Sequence, residues 1–215
     1  METTVVWDWN GTLLDDVDAC VRAMNRMLRR RKMPAIDLAG YRDRFGFPVI
    51  DYYRGLGFDL RRERFETLAL EYVREYRSAS VGVRLQPGAA ETLSRLRDLG
   101  CRQVILSAME ATALREQVSG QGVLGYFDGI IGSETIHAFG KIPAARGFFG
   151  PGGPRGRVLV GDTYHDYEVA ASLGCPCVLV RNGHQNLDRF TFDSSVRLAG
   201  SLPELDPGGL LGGAA

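Results

Sequence analysis

Lysine is nearly missing from this chain. Of its 26 basic residues only Lys32 and Lys141 are lysines, so a lysine set among other polar residues stands out. Neither sign of charge is in excess, because 26 acidic residues balance the basic ones. A neutral chain is a poor general binder of nucleic acid. Long apolar runs are missing too. None approaches the roughly 20 residues of a membrane-spanning helix, so no membrane partner is expected. Cysteine is scarce, and Cys20, Cys101, Cys175 and Cys177 match no zinc spacing. They read as small core residues of a cytoplasmic protein in a reducing compartment. No signal peptide is expected at the N-terminus, and no internal repeat is found.

What is there is an α/β rhythm with an interruption. Residues 3–8 read as a buried strand broken by Asn10-Gly11. From Asp16 to Lys32 apolar residues recur at helical spacing. Asp37 is a plausible N-cap, Gly55 and Gly57 make a break, and 61–77 reads as a long amphipathic helix. Little strand signal lies between Asp15 and Val83. Strands and helices then alternate: helix 88–99, strand 102–106, helix 110–118, strand 127–131, helix 142–148, strand 158–160, helix 165–173 and strand 177–180. That order implies a mostly parallel sheet covered on both faces. The expected organisation is an α/β core from 1–15 and 84–205, an all-helical insertion at 16–83 and a flexible tail at 206–215. A flexible loop is expected at Gly150-Pro-Gly-Gly-Pro154.

Open parallel sheets bind ligands beyond the carboxyl ends of their strands. The polar residues expected there are Asp8, Ser107 with Ala108, Lys141, Asp162 and Asp166. Three carboxylates at one point repel one another, and a hard divalent cation with oxygen ligands, Mg²⁺, resolves the conflict. Lys141 adds positive charge for a phosphate. Gly11 and Thr12 open a turn whose N–H groups can face an anion. A carboxylate nucleophile beside such a site describes phosphoryl transfer through an aspartyl-phosphate.

These segments resemble the haloacid dehalogenase (HAD) superfamily, in its phosphoglycolate phosphatase-like branch. The first motif reads Asp8-Trp-Asn10-Gly-Thr-Leu-Leu-Asp15. Ser107, Lys141 and Gly161-Asp162-Thr-Tyr-His-Asp166 match the second, third and fourth. The resemblance implies a Rossmann-like HAD core with an inserted helical C1 cap. It makes Asp8 the nucleophile and, with the Asn10 carbonyl, Asp162 and Asp166, a Mg²⁺ ligand. Ser107 and Lys141 would hold the phosphate of a small phosphorylated substrate. Arg44, in a cap segment running to Pro48, would meet a second anionic group. Phe45 and Phe47 would line the substrate or pack the cap. His165 reads as a first-turn helix residue, and His137 and His184 as surface residues.

One position departs from the family. Asn10 stands where the family has its general acid–base aspartate, and an amide can neither protonate a leaving alcohol nor activate water. General acid–base catalysis is worth about 10²–10⁴ in rate. An acid–base from elsewhere, a leaving group needing little protonation, phosphate binding or transfer in place of rapid hydrolysis, or an engineered residue at position 10 all remain open. The expected activity is a phosphomonoester hydrolase. The alternatives are a catalytically weak phosphate-binding protein and a phosphonatase-type enzyme using Lys32, the sole lysine of the insertion. The chain is expected to be a monomer or homodimer. Its zero net charge is also uneven: residues 16–83 carry 14 basic and 10 acidic residues, which suits an insertion that attracts an anionic ester.

Overall fold

The computed structural model describes residues 3–134, 140–150, 156–205 and 210. Most of the 150–154 loop, nearly all of the 206–215 tail, and His137 lie outside the described residues. The elements run β1 (Thr4–Trp7), α1 (Val17–Arg30), α2 (Leu38–Arg44), α3 (Val49–Leu56), α4 (Phe65–Ala79), α5 (Ala89–Asp98), β2 (Arg102–Glu110), α6 (Ala111–Gly120), β3 (Gly129–Ser133), α7 (Ile142–Phe149), β4 (Arg157–Gly161), α8 (Tyr164–Leu173), β5 (Cys177–Val180) and β6 (Val196–Ala199). The six strands among the described residues are all parallel, in the order β3-β2-β1-β4-β5-β6.

Side chains on a strand alternate between faces, and both faces of this sheet are dry. Val5 and Trp7 join Ile105, Val158 and Val160 in a cluster with Leu93 and Leu96 of α5 and Leu114 of α6. Val6, Leu106 and Leu159 point the other way, onto Ala145 of α7 and Val169 and Ala170 of α8. The four cysteines are buried and free. Helices α1 to α4 share an apolar cluster of their own, built from Met24, Met27, Leu28, Tyr53, Phe65 and Leu68 among others. No helix among the described residues is long and apolar enough to cross a membrane.

Three local expectations need correction. Gly55 lies inside α3, and the break is at Gly57 alone, which caps the helix in the left-handed region at φ 96°. The strand read over 102–106 continues to Glu110, with a register irregularity between Leu106 and Glu110. The edge strand β6 is new. It carries Arg197 in an exposed centre, so its composition gave no buried-strand signal. Asp37 does cap α2, accepting from the Gly40 N–H at 2.7 Å.

Candidate active site

The sheet reverses its strand order around β1, and this is where a crevice opens. Trp7 pairs with Val160 across β1 and β4, so Asp8 and Asp162 leave adjacent strands one residue apart in level. Asp166 follows one helical turn later, in the first turn of α8. The carboxylate oxygens of Asp8, Asp162 and Asp166 lie within 4.8 Å of one another, all buried. Lys141, just ahead of α7, reaches Asp8 Oδ1 at 2.7 Å and Asp166 Oδ1 at 2.6 Å. Its backbone N–H donates to His165 Nε2 at 2.9 Å. His165 thus sits in the first turn of α8 and holds the lysine's segment.

One cation does not balance three carboxylates. Burial raises the Asp8 carboxyl well above its ordinary range; Lys141 pulls it down, but Asp166 and Asp162 push it up again. Asp162 is raised by burial and by Asp166, against the pull of His184. Burial opposes the charge on Lys141, yet Asp166 and Asp8 hold it above the usual lysine value. Burial works to raise Asp166 as well, but Lys141 and the Thr163 hydroxyl keep it low. Hard oxygen donors with surplus negative charge are what Mg²⁺ takes, so the residues fit the ion.

A cavity of about 210 Å³ stands over this cluster. Asp8, Asn10, Ser107, Ala108 and Lys141 line it. Ser107 accepts a hydrogen bond from the Met109 N–H at 3.1 Å, which leaves its own proton for a phosphate oxygen. The irregular stretch of β2 is what turns Ser107 and Ala108 toward the cavity.

Other expected residues are elsewhere. Arg44 is exposed at the end of α2 and lines a separate hollow against Tyr164, Glu168 and Arg189. It is not at Asp8, because α2 turns its Tyr41 face inward. Phe45 and Phe47 line both hollows. Gly11 and Thr12 do not line the cavity. The Gly11 N–H donates to Asp16 Oδ1 at 2.9 Å, and the Thr12 hydroxyl donates to Asp162 at 2.7 Å. Gly11 is in the left-handed region at φ 78°, and a Cβ there would come within 2.4 Å of His184 Cδ2 and 2.5 Å of Asp162 Oδ2. A Gly11→Ala chain should therefore lose about 1–3 kcal/mol to backbone strain before the clash adds to it. A lower urea midpoint with an unchanged slope is the expected result.

His184 corrects a second expectation. It is only 4% exposed. Nδ1 meets the Tyr41 hydroxyl at 3.0 Å and Nε2 meets Asp16 Oδ1 at 3.3 Å. Burial opposes its charge, but the bond to Asp16 outweighs that and lifts its pKa to about 9.

Asp16 is the residue the motif reading passed over. Its fully buried carboxylate accepts from Gly11, from Asn10 Nδ2 at 2.7 Å and from the Tyr76 hydroxyl at 2.7 Å. Burial works to raise it, and the bonds from His184, Tyr76 and Asn10 still bring it below its ordinary value. An adjacent pair of aspartates after an apolar turn was the available signal.

Asn10→Asp would set two carboxylates where an amide now donates to a charged acceptor, a bond worth about 1.5–3 kcal/mol. The variant should melt several degrees lower at neutral pH. Exchanging the two residues, Asn10→Asp with Asp16→Asn, should return most of the loss, because the donor and acceptor are restored in reverse. Thermal unfolding of the three chains checks this.

Comparison with known proteins follows the same lines. A family model described as haloacid dehalogenase-like hydrolase matches residues 5–180. A phosphoglycolate phosphatase of Rhodobacter capsulatus is 25% identical over 86% of this chain and 87% of its own length. One from Neisseria gonorrhoeae is 28% identical over 94% and 90%. Among solved structures, Protein Tyrosine Kinase A of Mycobacterium tuberculosis superposes with a TM-score of 0.77 at 24% identity, covering 97% of this chain and 98% of that one. A phosphoglycolate phosphatase-like structure from Lactobacillus delbrueckii gives 0.74 at 17% identity, covering 99% and 100%.

Proposed function

Because this chain belongs to the haloacid dehalogenase-like hydrolases, we propose that it is a cytoplasmic, Mg²⁺-dependent phosphatase that cleaves a phosphomonoester through an aspartyl-phosphate on Asp8. The observation that carries the reading is the pairing of a buried carboxylate with a buried lysine, Asp8 and Lys141 at 2.7 Å, on the floor of a cavity. Its phosphoglycolate phosphatase relatives support the same reaction class.

Asp8, Asp162, Asp166 and the Asn10 carbonyl would hold the ion. A Mg²⁺ bound there would supply positive charge against the phosphoryl oxygens. Thr12 and the His184 N–H hold Asp162 in place at 2.7 and 2.6 Å. Asp166 is held more tightly still. Its Oδ2 accepts from the Asp162 and Thr163 N–H groups and from the Thr163 hydroxyl, which fixes the carboxylate that would help to hold the ion. Asp8 attacks phosphorus, while Ser107 and Lys141 donate to the phosphoryl oxygens as charge develops on them. Residues 16–83 act as the cap. Tyr41, Phe45 and Tyr76 from that segment and Ser107 and Lys141 from the core line one cavity, so closure would exclude water from the reacting atoms.

Lys32 is exposed and lines neither hollow, so the phosphonatase-type alternative has no cap amine at Asp8. Phosphate release from a panel of phosphorylated metabolites separates the two remaining readings. Turnover with Mg²⁺, abolished by a chelator and returned by added Mg²⁺, is expected. Binding of phosphate esters without turnover would instead make the chain a phosphate-binding protein.

A further inference from the structure

Away from its floor, the cavity over Asp8 is apolar and aromatic. Phe45, Phe47, Tyr52, Phe65, Tyr72 and Tyr76 supply rings to its wall. Its cationic lining residues are Lys141, His184 and Arg77. The first is held by Asp8 and Asp166 and the second by Asp16. Arg77 is exposed on α4. Among the described residues, no uncommitted buried cation faces this space to receive a carboxylate or a second phosphate. At about 210 Å³ it is smaller than the ~300–1,000 Å³ usual for drug-sized ligands, which suits one ring. The Tyr52 hydroxyl is buried there without a partner, ready for one polar substituent.

The floor adds a second constraint. Asn10 Nδ2 donates to Asp16 at 2.7 Å and to the Tyr76 hydroxyl at 3.1 Å. The Gly11 N–H and the Tyr76 hydroxyl also donate to Asp16, so it is the acceptor there and the amide nitrogen faces it. Tyr76 in turn gives its proton to Asp16, and both ring nitrogens of His184 are engaged. Asn10, Tyr76 and His184 thus have no proton left for a departing oxygen. With Ser107 and Lys141 turned to the phosphoryl oxygens, none of these floor residues protonates the leaving group, and it departs as its anion. A phenol loses its proton at about 10, whereas aliphatic alcohols, like water, are far weaker acids.

We infer that the preferred substrate is the phosphate monoester of a phenol, its ring held among Phe45, Phe47, Tyr52 and Tyr72 and its phosphoryl group at Asp8, Ser107 and Lys141. This deepens the phosphatase reading and rests on it. In the first step the Asp8–phosphorus bond forms and the phosphorus–aryl oxygen bond breaks, its electron pair leaving on the phenolate, which solvent protonates. In the second step water bonds to phosphorus and the phosphorus–Asp8 bond breaks. Both protons of that water leave with the phosphate product, and Asp8 returns as a carboxylate.

The test is phosphate release by the full chain with Mg²⁺ from phenyl phosphate, phosphoglycolate and glycerol 3-phosphate. Burying one ring is worth about 1.5–3 kcal/mol, so kcat/KM for phenyl phosphate should exceed the other two by at least about tenfold. Among ring-substituted phenyl phosphates, kcat should rise steeply as the phenol becomes more acidic. A tyrosine-phosphorylated peptide carries the same ester. Its hydrolysis alongside phenyl phosphate would make a protein side chain the source, and hydrolysis of phenyl phosphate alone would make a free metabolite the source. Equal or faster turnover of phosphoglycolate or glycerol 3-phosphate overturns the inference and leaves the phosphatase reading standing. Release from none of the substrates overturns the phosphatase reading itself.

Discussion

Asp8→Asn should abolish phosphate release while leaving the fold as stable as before, or more so. The amide keeps the shape and can still accept from Lys141, but it is no nucleophile toward phosphorus. Removing the nucleophile of a concerted site costs several powers of ten, up to about 10⁶ in kcat, so activity should fall to background. Stability should move the other way. Asp8 is a buried carboxylate whose ionisation is opposed by burial and by its two acidic neighbours, so neutralising it relieves repulsion. Lys141 still has Asp166 at 2.6 Å. The wild-type chain should gain melting temperature on adding Mg²⁺ by mass action on the folded state. The variant should start higher and gain less. A variant that loses activity together with its fold would show that Asp8 is a structural residue, and that outcome would sink the nucleophile assignment.

The polar floor of the site was legible because it is written in local segments. Asp8 follows a run of strand formers, and Asp162 and Asp166 are held apart by one turn of helix. Lys141 is conspicuous in a chain with one other lysine. Parallel pairing of β1 with its two neighbours then brings these segments together without further instruction. The surroundings were illegible for the opposite reason. His184 meets Tyr41 across 143 positions of chain, and Tyr76 meets Asp16 across 60. Periodicity carries no record of either contact. A histidine between Gly183 and Gln185 looks like a loop residue until α2 lies over it. Arg44 misled for a related reason: its position beside Phe45 is local, but which hollow it faces depends on how α2 packs against the 182–186 loop.

The same packing gives Lys141 a structural load that its motif does not reveal. Lys141→Met keeps the length of the side chain and deletes the charge. Two buried carboxylates, Asp8 and Asp166, then face each other without a cation, and breaking a buried pair in this way costs about 3–5 kcal/mol. For a domain of this size about 2–4 °C accompanies each kcal/mol, so melting should fall by about 10 °C. Turnover should drop about 10²–10³-fold from the lost charge at the phosphoryl oxygens. The pH dependence follows from the sign of the shifts. Lys141 is the main influence lowering Asp166 and Asp8, so without it both carboxyls titrate higher in the folded chain than they do in the wild type. The folded variant then binds protons more tightly. Its stability relative to wild type is greatest in acid and is lost as pH rises through the raised folded values. The deficit against wild type should therefore be widest in mildly alkaline buffer and should narrow on acidification. Melting curves across pH for the two chains check this. A deficit independent of pH would mean that Lys141 supports the fold by filling space, and not by pairing with Asp8 and Asp166.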